Sequence, residues 1–269
     1  MNVPLFDREL IANTWKSDPD NGRANVGVWD DEADAFARHP LPRWDDDPFL
    51  LMLSQEADIT NTTTAIDVGC GTGRYALALA ERMGAVHGVD FSEKMIAYAR
   101  TAAHERGCDN VSFGVGDFRT MDIAGKYDLA IAHLTPAICD GETFGKLQSL
   151  ARKQVFIAKP TRKSDSVLDP VMHLLGRERR RKGAGDDILR MFALAWLGGS
   201  TPSVRHYRDE WTSTRTFEEA CKLYGDQLMN GSLDEDQRAL VHSYLSSIAR
   251  DGMVEERIST EVVMMGWAV

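Results

Sequence analysis

The run Ala65-Ile66-Asp67-Val68-Gly69-Cys70-Gly71-Thr72-Gly73 constrains this chain more than any other segment. A short apolar stretch ends in three glycines at alternate positions. Arg74 to Met83 then reads as a helix, with Leu77, Leu79 and Ala80 facing inward and Gly84 as its stop. Strand, glycine turn and helix in that order put bare backbone at the carboxyl end of a strand, where a ligand can lie against it. The turn is Gly-x-Gly-x-Gly followed by Arg. A dinucleotide fingerprint has its third glycine one residue later, and a nucleoside-triphosphate loop carries a lysine that is absent here. Both of those ligands are disfavoured.

The same rhythm continues downstream. Ala85 to Asp90 reads as a second strand, and Ser92 caps the next helix with Glu93 in its first turn and Gly107 at its end. Val111 to Val115 is a third strand, Tyr127 to His133 a fourth, Gly141 to Lys153 a helix and Gln154 to Lys159 a fifth strand. Strands alternating with helices of this length imply right-handed crossovers and an α/β, doubly wound, mostly parallel sheet. After Pro160 the rhythm breaks. Val167–Lys182 and Asp186–Leu197 read as helices, and the second is apolar nearly all round, so core, substrate pocket or a second subunit must cover it. That leaves a homodimer open. Val204–Thr214 alternates weakly as a sixth strand, Thr216–Met229 and Asp234–Ala249 read as helices, and Val254–Val269 as a final buried strand. Ahead of the glycine loop, Pro40, Pro42 and Pro48 interrupt an acidic stretch with one short helix near Asp30–Arg38. Four segments result: an N-terminal helical arm or lid (1–58), an α/β ligand-binding core (59–160), a helical substrate-cover insertion (161–215), and a C-terminal completion of the sheet (216–269).

Composition narrows the partners. The 269 residues carry a net charge of −10, which disfavours non-specific contact with nucleic acid or anionic lipid. Residues 1–58 contribute −8, whereas residues 159–190 sum to +4 and include Arg177-Glu178-Arg179-Arg180-Arg181-Lys182. That cluster reads as a solvated helix end, as a clamp for an anionic substrate, or as an RNA contact. The four cysteines, Cys70, Cys108, Cys139 and Cys221, form no close pair, so neither a disulfide framework nor a zinc ribbon is expected and a reducing, cytoplasmic setting is. No basic-then-apolar leader opens the chain, and the longest apolar stretch, Met191–Leu197, is too short to span a bilayer. No trio of Asp or Asn suggests a magnesium site, and no metal is expected. All six tryptophans lie outside residues 59–158. They either roof an acceptor site or pack the roof without touching ligand.

Two carboxylates accompany the glycine loop. Asp90 ends the second strand, seventeen residues after Gly73, where it can accept both hydrogen bonds of a ribose diol. Asp117 follows the third strand in Gly116-Asp117-Phe118, where it can take an exocyclic amine while Phe118 packs on a ring. Together with Gly88-Val89-Asp90-Phe91-Ser92, these segments resemble the successive cofactor motifs of class I S-adenosylmethionine-dependent methyltransferases, strongly over about residues 60–160. Val28-Trp29-Asp30-x-x-Ala33-x-x-Phe36 is similar to the lead-in of small-molecule members, including the quinone-biosynthesis-like group. The resemblance implies a Rossmann-like seven-stranded sheet with an antiparallel last strand. It implies S-adenosyl-L-methionine as cofactor, with S-adenosyl-L-homocysteine as product. It would put Asp67 near the methionyl amine, Gly69, Cys70, Gly71 and Gly73 along the cofactor backbone, Asp90 at the ribose, Phe91 beside the adenosine, and Asp117 with Phe118 at the adenine.

The reaction implied is an in-line displacement of the sulfonium methyl, for which the protein mainly supplies approach geometry and a dry pocket. His133, ending the fourth strand in His133-Leu134-Thr135-Pro136, is the catalytic candidate and a cofactor contact, either as general base or as pocket lining. His173, His206, Tyr207 and Asp140 are weaker candidates, and Tyr75 either closes over the methionyl tail or packs. The strand-four loop lacks the Asn/Asp-Pro-Pro-aromatic pattern of relatives that methylate nucleic-acid bases. A small-molecule acceptor is therefore expected, with methylation of protein or RNA, or a catalytically silent cofactor-binding regulator, as alternatives.

Overall fold

In the computed structural model, which describes residues 7–16, 26–177, 184–227 and 233–269, the apolar run before the glycine loop is β1 (Thr64–Val68), buried from Ala65 onward. The chain then alternates: α4 (Arg74–Ala80), β2 (Ala85–Asp90), α5 (Glu93–Glu105), β3 (Val111–Val115), β4 (Tyr127–His133), α6 (Gly141–Leu150) and β5 (Ala151–Asp165). Among the described residues, α1 (Arg8–Thr14), α2 (Val26–Ala37) and α3 (Pro48–Glu56) precede β1. After β5 come α7 (Leu168–Leu174), α8 (Ala184–Leu197), β6 (Ser203–Thr216), α9 (Phe217–Lys222) running into a π-helical turn, α10 (Glu235–Ile248) and β7 (Met253–Ala268).

The seven strands lie in the order β3-β2-β1-β4-β5-β7-β6. The first five pair in parallel, with Val68 beside Val89 and His133 beside Ala158. β7 runs the other way. Its contacts with β5 descend as β5 ascends, from Val269 N–H on the Lys153 carbonyl to the Thr161 hydroxyl on the Glu261 carbonyl. Against β6 the same reversal links Ser203 with Gly266 and Arg208 with Glu261. The expected doubly wound sheet with an antiparallel last strand is what the chain forms.

Local chemistry explains the element ends. Ser92 Oγ accepts from the Met95 N–H at 3.0 Å and caps α5, and Gly107 closes that helix at φ +65. Asp47 caps α3 through the N–H groups of Phe49 and Leu50, with Pro48 in the first turn. α7 is shorter than the expected Val167–Lys182 helix. Gly176, at φ +61, ends it through an Arg177 N–H to Met172 carbonyl bond, and residues 178–182 of the basic cluster lie outside the described residues. β5 is longer than expected and passes through Pro160. The β4 register ends at Ala158, so beyond it no β4 partner needs the missing N–H.

Two compact units divide the chain. The first comprises residues 1–159, 185–205 and 263–269. Its core gathers Ile66, Val68 and Val89 with Ala130, Ile157, Phe144, Trp15 and Trp267, and α8 adds Ile188, Met191, Leu194 and Ala195. One face of the apolar α8 is thus covered by core, while Leu189 and Trp196 on the other are exposed. The second unit, residues 160–184 and 206–262, has its own core of Val167, Val171, Tyr224, Val241, Leu245 and Val254. Within it the Tyr224 hydroxyl donates to Glu256 at 2.5 Å, and Arg215 pairs with the same carboxylate at 3.3 Å. The segment 161–215 comprises the end of β5, α7, α8 and β6, so it carries a long strand beside its helices.

Candidate functional site

The carboxyl ends of β1, β2, β3 and β4 open onto one cleft of about 350 Å³, within the ordinary size of small-ligand sites. All its lining residues fall between Trp29 and Thr143, inside the first unit.

Its floor is the glycine loop. Gly69, Gly71 and Gly73 have φ of +70, +54 and +80, which side chains rarely adopt. At Gly69 there is also no room, because an added Cβ would stand 1.9 Å from Thr135 Oγ1. The N–H groups of Gly69 and Cys70 both reach the Val89 carbonyl, at 2.8 and 3.1 Å, which ties the loop to β2. Gly73 is off the wall and starts α4, packed on Ala99 and Phe113.

Asp90 joins the loop to β2. Its Oδ2 accepts the Gly71 N–H at 2.9 Å and its Oδ1 the Ser92 N–H at 3.0 Å. Burial nonetheless holds its carboxyl above the usual range. Asp67, in β1 and 2% exposed, is more extreme, because its Oδ2 has no hydrogen-bond partner. Burial and the nearby charge of Asp90 push its carboxyl up to about 7, against one backbone bond from Ala76. An unsatisfied buried carboxylate oxygen is costly, and a cationic donor is what it lacks. Cys70 lines the cleft, with its thiol raised well above its ordinary value by burial and these two carboxylates, so it stays a neutral thiol.

The far end is less enclosed. Phe91 and Asp117 line the cleft; Asp117 is exposed and accepts the Arg119 N–H at 2.9 Å. Phe118 also reaches the lining but is 4% exposed and belongs to the core, with Lys146 Nζ 5.0 Å from its ring centroid.

His133 forms the opposite wall between two rings, Phe49 at 4.9 Å and Tyr75 at 3.9 Å between centroids. Its Nε2 is buried without a partner. Burial, then the positive Arg74, lowers its pKa to about 3, so the imidazole is neutral and a weak base. The next residue, Leu134, takes φ +51, a strained conformation for a non-glycine residue at the mouth of the site.

Other candidates fall elsewhere. Asp140 caps α6 and pairs with Arg119 at 2.5 Å, so its lone pairs are engaged. His173, His206 and Tyr207 belong to the second unit. Of the tryptophans, Trp29 lines the cleft; Trp15 and Trp267 are core, Trp44 donates to the Ala78 carbonyl, and Trp196 and Trp211 are exposed.

The sequence offers residues 1–58 as a lid and the tryptophans as a roof, without assigning Trp29 or Phe36 to the site. Trp29 and Phe36, one helical face of α2, line the cleft with ring centroids 6.0 Å apart. Two acids one turn apart on α2 tie it to α5: Asp30 accepts from Ser92 Oγ at 2.5 Å, and Asp34 from Tyr98 at 2.5 Å, with Lys94 at 3.2 Å.

Comparison with known proteins agrees with this geometry. Residues 59–178 match the family model of a methyltransferase domain. The ribosomal protein L11 methyltransferase of Dechloromonas aromatica is 32% identical over 147 residues, 51% of this chain and 46% of that protein. The aklanonic acid methyltransferase DauC of a Streptomyces species is 38% identical over 81 residues, 28% of this chain and 37% of that protein. The chain thus spans less than half the length of either relative. The YcgJ protein of Bacillus subtilis shares the fold, with a TM-score of 0.50 at 16% identity over 81% of this chain and 96% of that one. Residues 59–178 thus resemble a methyltransferase domain, on a fold that the chain shares with YcgJ.

Among the described residues, no group of three or more His, Cys, Asp or Glu side chains could hold a metal ion. Among them, no helix is long and apolar enough to cross a membrane.

Proposed function

We propose that the chain transfers a methyl group from S-adenosylmethionine to a small-molecule acceptor. The single observation that carries the small-acceptor reading is the roof: Trp29 and Phe36 of α2 close a cleft of about 350 Å³ that also holds the glycine loop, which suits a compact aromatic or amphipathic guest.

The residues present fit the donor. Asp67 Oδ2, buried and lacking a donor, suits an ammonium group, directly or through one water. Asp90 is already fixed by two N–H groups and has lone pairs left for a ribose diol. Gly71, where an added Cβ would meet only Met95 Sδ at 3.9 Å, leaves room for a ligand against the backbone, Phe91 gives an apolar flank, and Asp117 stands in the open end for an amine. S-adenosylmethionine supplies, when bound, a methyl group made electrophilic by its sulfonium.

The chain's own contribution is orientation and exclusion of water. The clustered rings of Tyr75, His133 and Phe49 present a neutral wall, and the Asp47 carboxylate fixes Tyr75 by accepting its hydroxyl hydrogen bond at 2.9 Å. His133 serves this reading as wall rather than base, because an imidazole with a pKa near 3 holds no proton worth moving at neutral pH.

The resemblance to a ribosomal protein methyltransferase favours a second reading, a protein acceptor. Radiolabelled methyl transfer from S-adenosylmethionine into a small-metabolite extract, set beside ribosomal proteins and RNA, tests the two. Label in the small-molecule fraction is expected. Label confined to protein or RNA contradicts the small-acceptor reading, and donor binding without any transfer favours a silent regulator.

A further inference from the structure

The cleft holds two arginines with opposite histories. Arg119 is spent on Asp140 at 2.5 Å and Glu142 at 3.0 Å. Arg74, the first residue of α4, is not. Its Nε donates to the Pro40 carbonyl at 2.8 Å, and no carboxylate pairs with it among the described residues. Half-buried, it lines the cleft next to Tyr75. The single Nε bond steadies the guanidinium while leaving both Nη groups as an open fork, the arrangement that takes a carboxylate through two parallel bonds. The neighbouring His133 is neutral and Tyr75 is engaged with Asp47, so neither competes as a counter-charge.

Resting on the methyltransferase reading above, we propose that Arg74 is the anion anchor of the cleft and binds a carboxylate of a molecule seated there. Two sources share this chemistry: an acceptor that carries a carboxylate, and the amino-acid tail of the methyl donor. An acceptor bound this way is an anionic small molecule. Its carboxylate faces α4 while the rest lies under Trp29 and Phe36. Arg74 then sets specificity by charge and planar geometry, and a neutral ester or amide of the same acceptor is rejected.

The test uses the full chain, with Arg74→Gln and Arg74→Lys beside the wild type. Calorimetry measures S-adenosylhomocysteine, its decarboxylated analogue, and benzoate against benzamide added to the S-adenosylhomocysteine-saturated protein. If the donor tail is the source, decarboxylation weakens wild-type binding ten- to hundredfold and leaves Arg74→Gln nearly unchanged. If the acceptor is the source, decarboxylation costs both proteins alike, and benzoate is preferred over benzamide at least tenfold by wild type but not by Arg74→Gln. Arg74→Lys keeps part of either preference, because charge survives without the fork. A merely structural Arg74 weakens all ligands together and leaves both preferences intact, which overturns the proposal. Failure of the wild type to bind S-adenosylhomocysteine at all overturns the functional reading and this proposal with it. Binding with identical carboxylate preferences in wild type and Arg74→Gln overturns this proposal alone.

Discussion

Tyr75 and His133 lie ring against ring, centroids 3.9 Å apart and planes inclined at 37°, with the Tyr75 hydroxyl bound to Asp47 at 2.9 Å. The contact joins the start of α4 to the end of β4. It replaces water around the imidazole with aromatic surface, and it explains why a histidine lining the cleft is neutral.

That neutrality predicts the kinetics. His133→Asn keeps more than about a tenth of wild-type kcat, because general-base catalysis would have been worth about a hundredfold or more. The pH profile of kcat shows no step near 6.5 that the substitution removes. Steady-state assays between pH 5.5 and 9 check both statements.

It also predicts acid sensitivity. The His133 pKa of about 3 lies below its unfolded value of 6.5, so the native state loses stability as pH falls below 6.5. At pH 5 the loss is about 2 kcal/mol. His133→Phe lacks this slope, and urea unfolding at pH 7.5 and 5 compares the two proteins.

Asp67 has the opposite sign. Its folded pKa of about 7 lies above the ordinary carboxylate value of 3.8, so the free protein gains stability from this group as pH falls from 7 towards 4. Asp67→Asn removes an unpaired buried charge and is expected to stabilise the free protein at pH 8 by about 1–3 kcal/mol. The same substitution weakens S-adenosylhomocysteine binding by about 1–3 kcal/mol. In the wild type, binding at pH 6.5 releases protons, because an ammonium partner favours the carboxylate. Calorimetry in buffers of different ionisation enthalpy reads that release.

Gly69→Ala is predicted to cost about 2–4 kcal/mol in stability and to abolish cofactor binding, combining backbone strain at φ +70 with a Cβ 1.9 Å from Thr135 Oγ1. Glu256→Gln, in the second unit, weakens the bonds to Tyr224 and Arg215 and costs about 1–3 kcal/mol while leaving cofactor affinity unchanged. Thermal unfolding and cofactor titration separate the two cases.

Where local chemistry decides, the sequence was readable. Ser92 capping α5, Gly107 closing it, and the positive-φ glycines following β1 are each one residue deep in their causes. The parallel core followed from alternation, and Asp90 from its place at the end of β2. Long-range partnership was not readable. Nothing local says that β5 continues through Pro160, because that depends on where β4 stops beside it. Gly176 ends α7, although the charged run after it reads as more helix. A lid over residues 1–58 is legible, but not which side chains line it, because Trp29 and Phe36 become site residues only when Asp30 and Asp34 meet Ser92, Lys94 and Tyr98, about sixty residues away. Phe118 shows the converse. Its motif marks the cleft, while its ring is packed into the core.

The most direct test of the central claim is diffraction from crystals of this protein soaked with S-adenosylhomocysteine. Electron density is predicted along Gly69–Gly71, with the ribose diol on Asp90 and the amine at Asp67 or one water from it. A well-ordered crystal in which that cleft stays empty, or in which the ligand sits away from both carboxylates, would contradict the account.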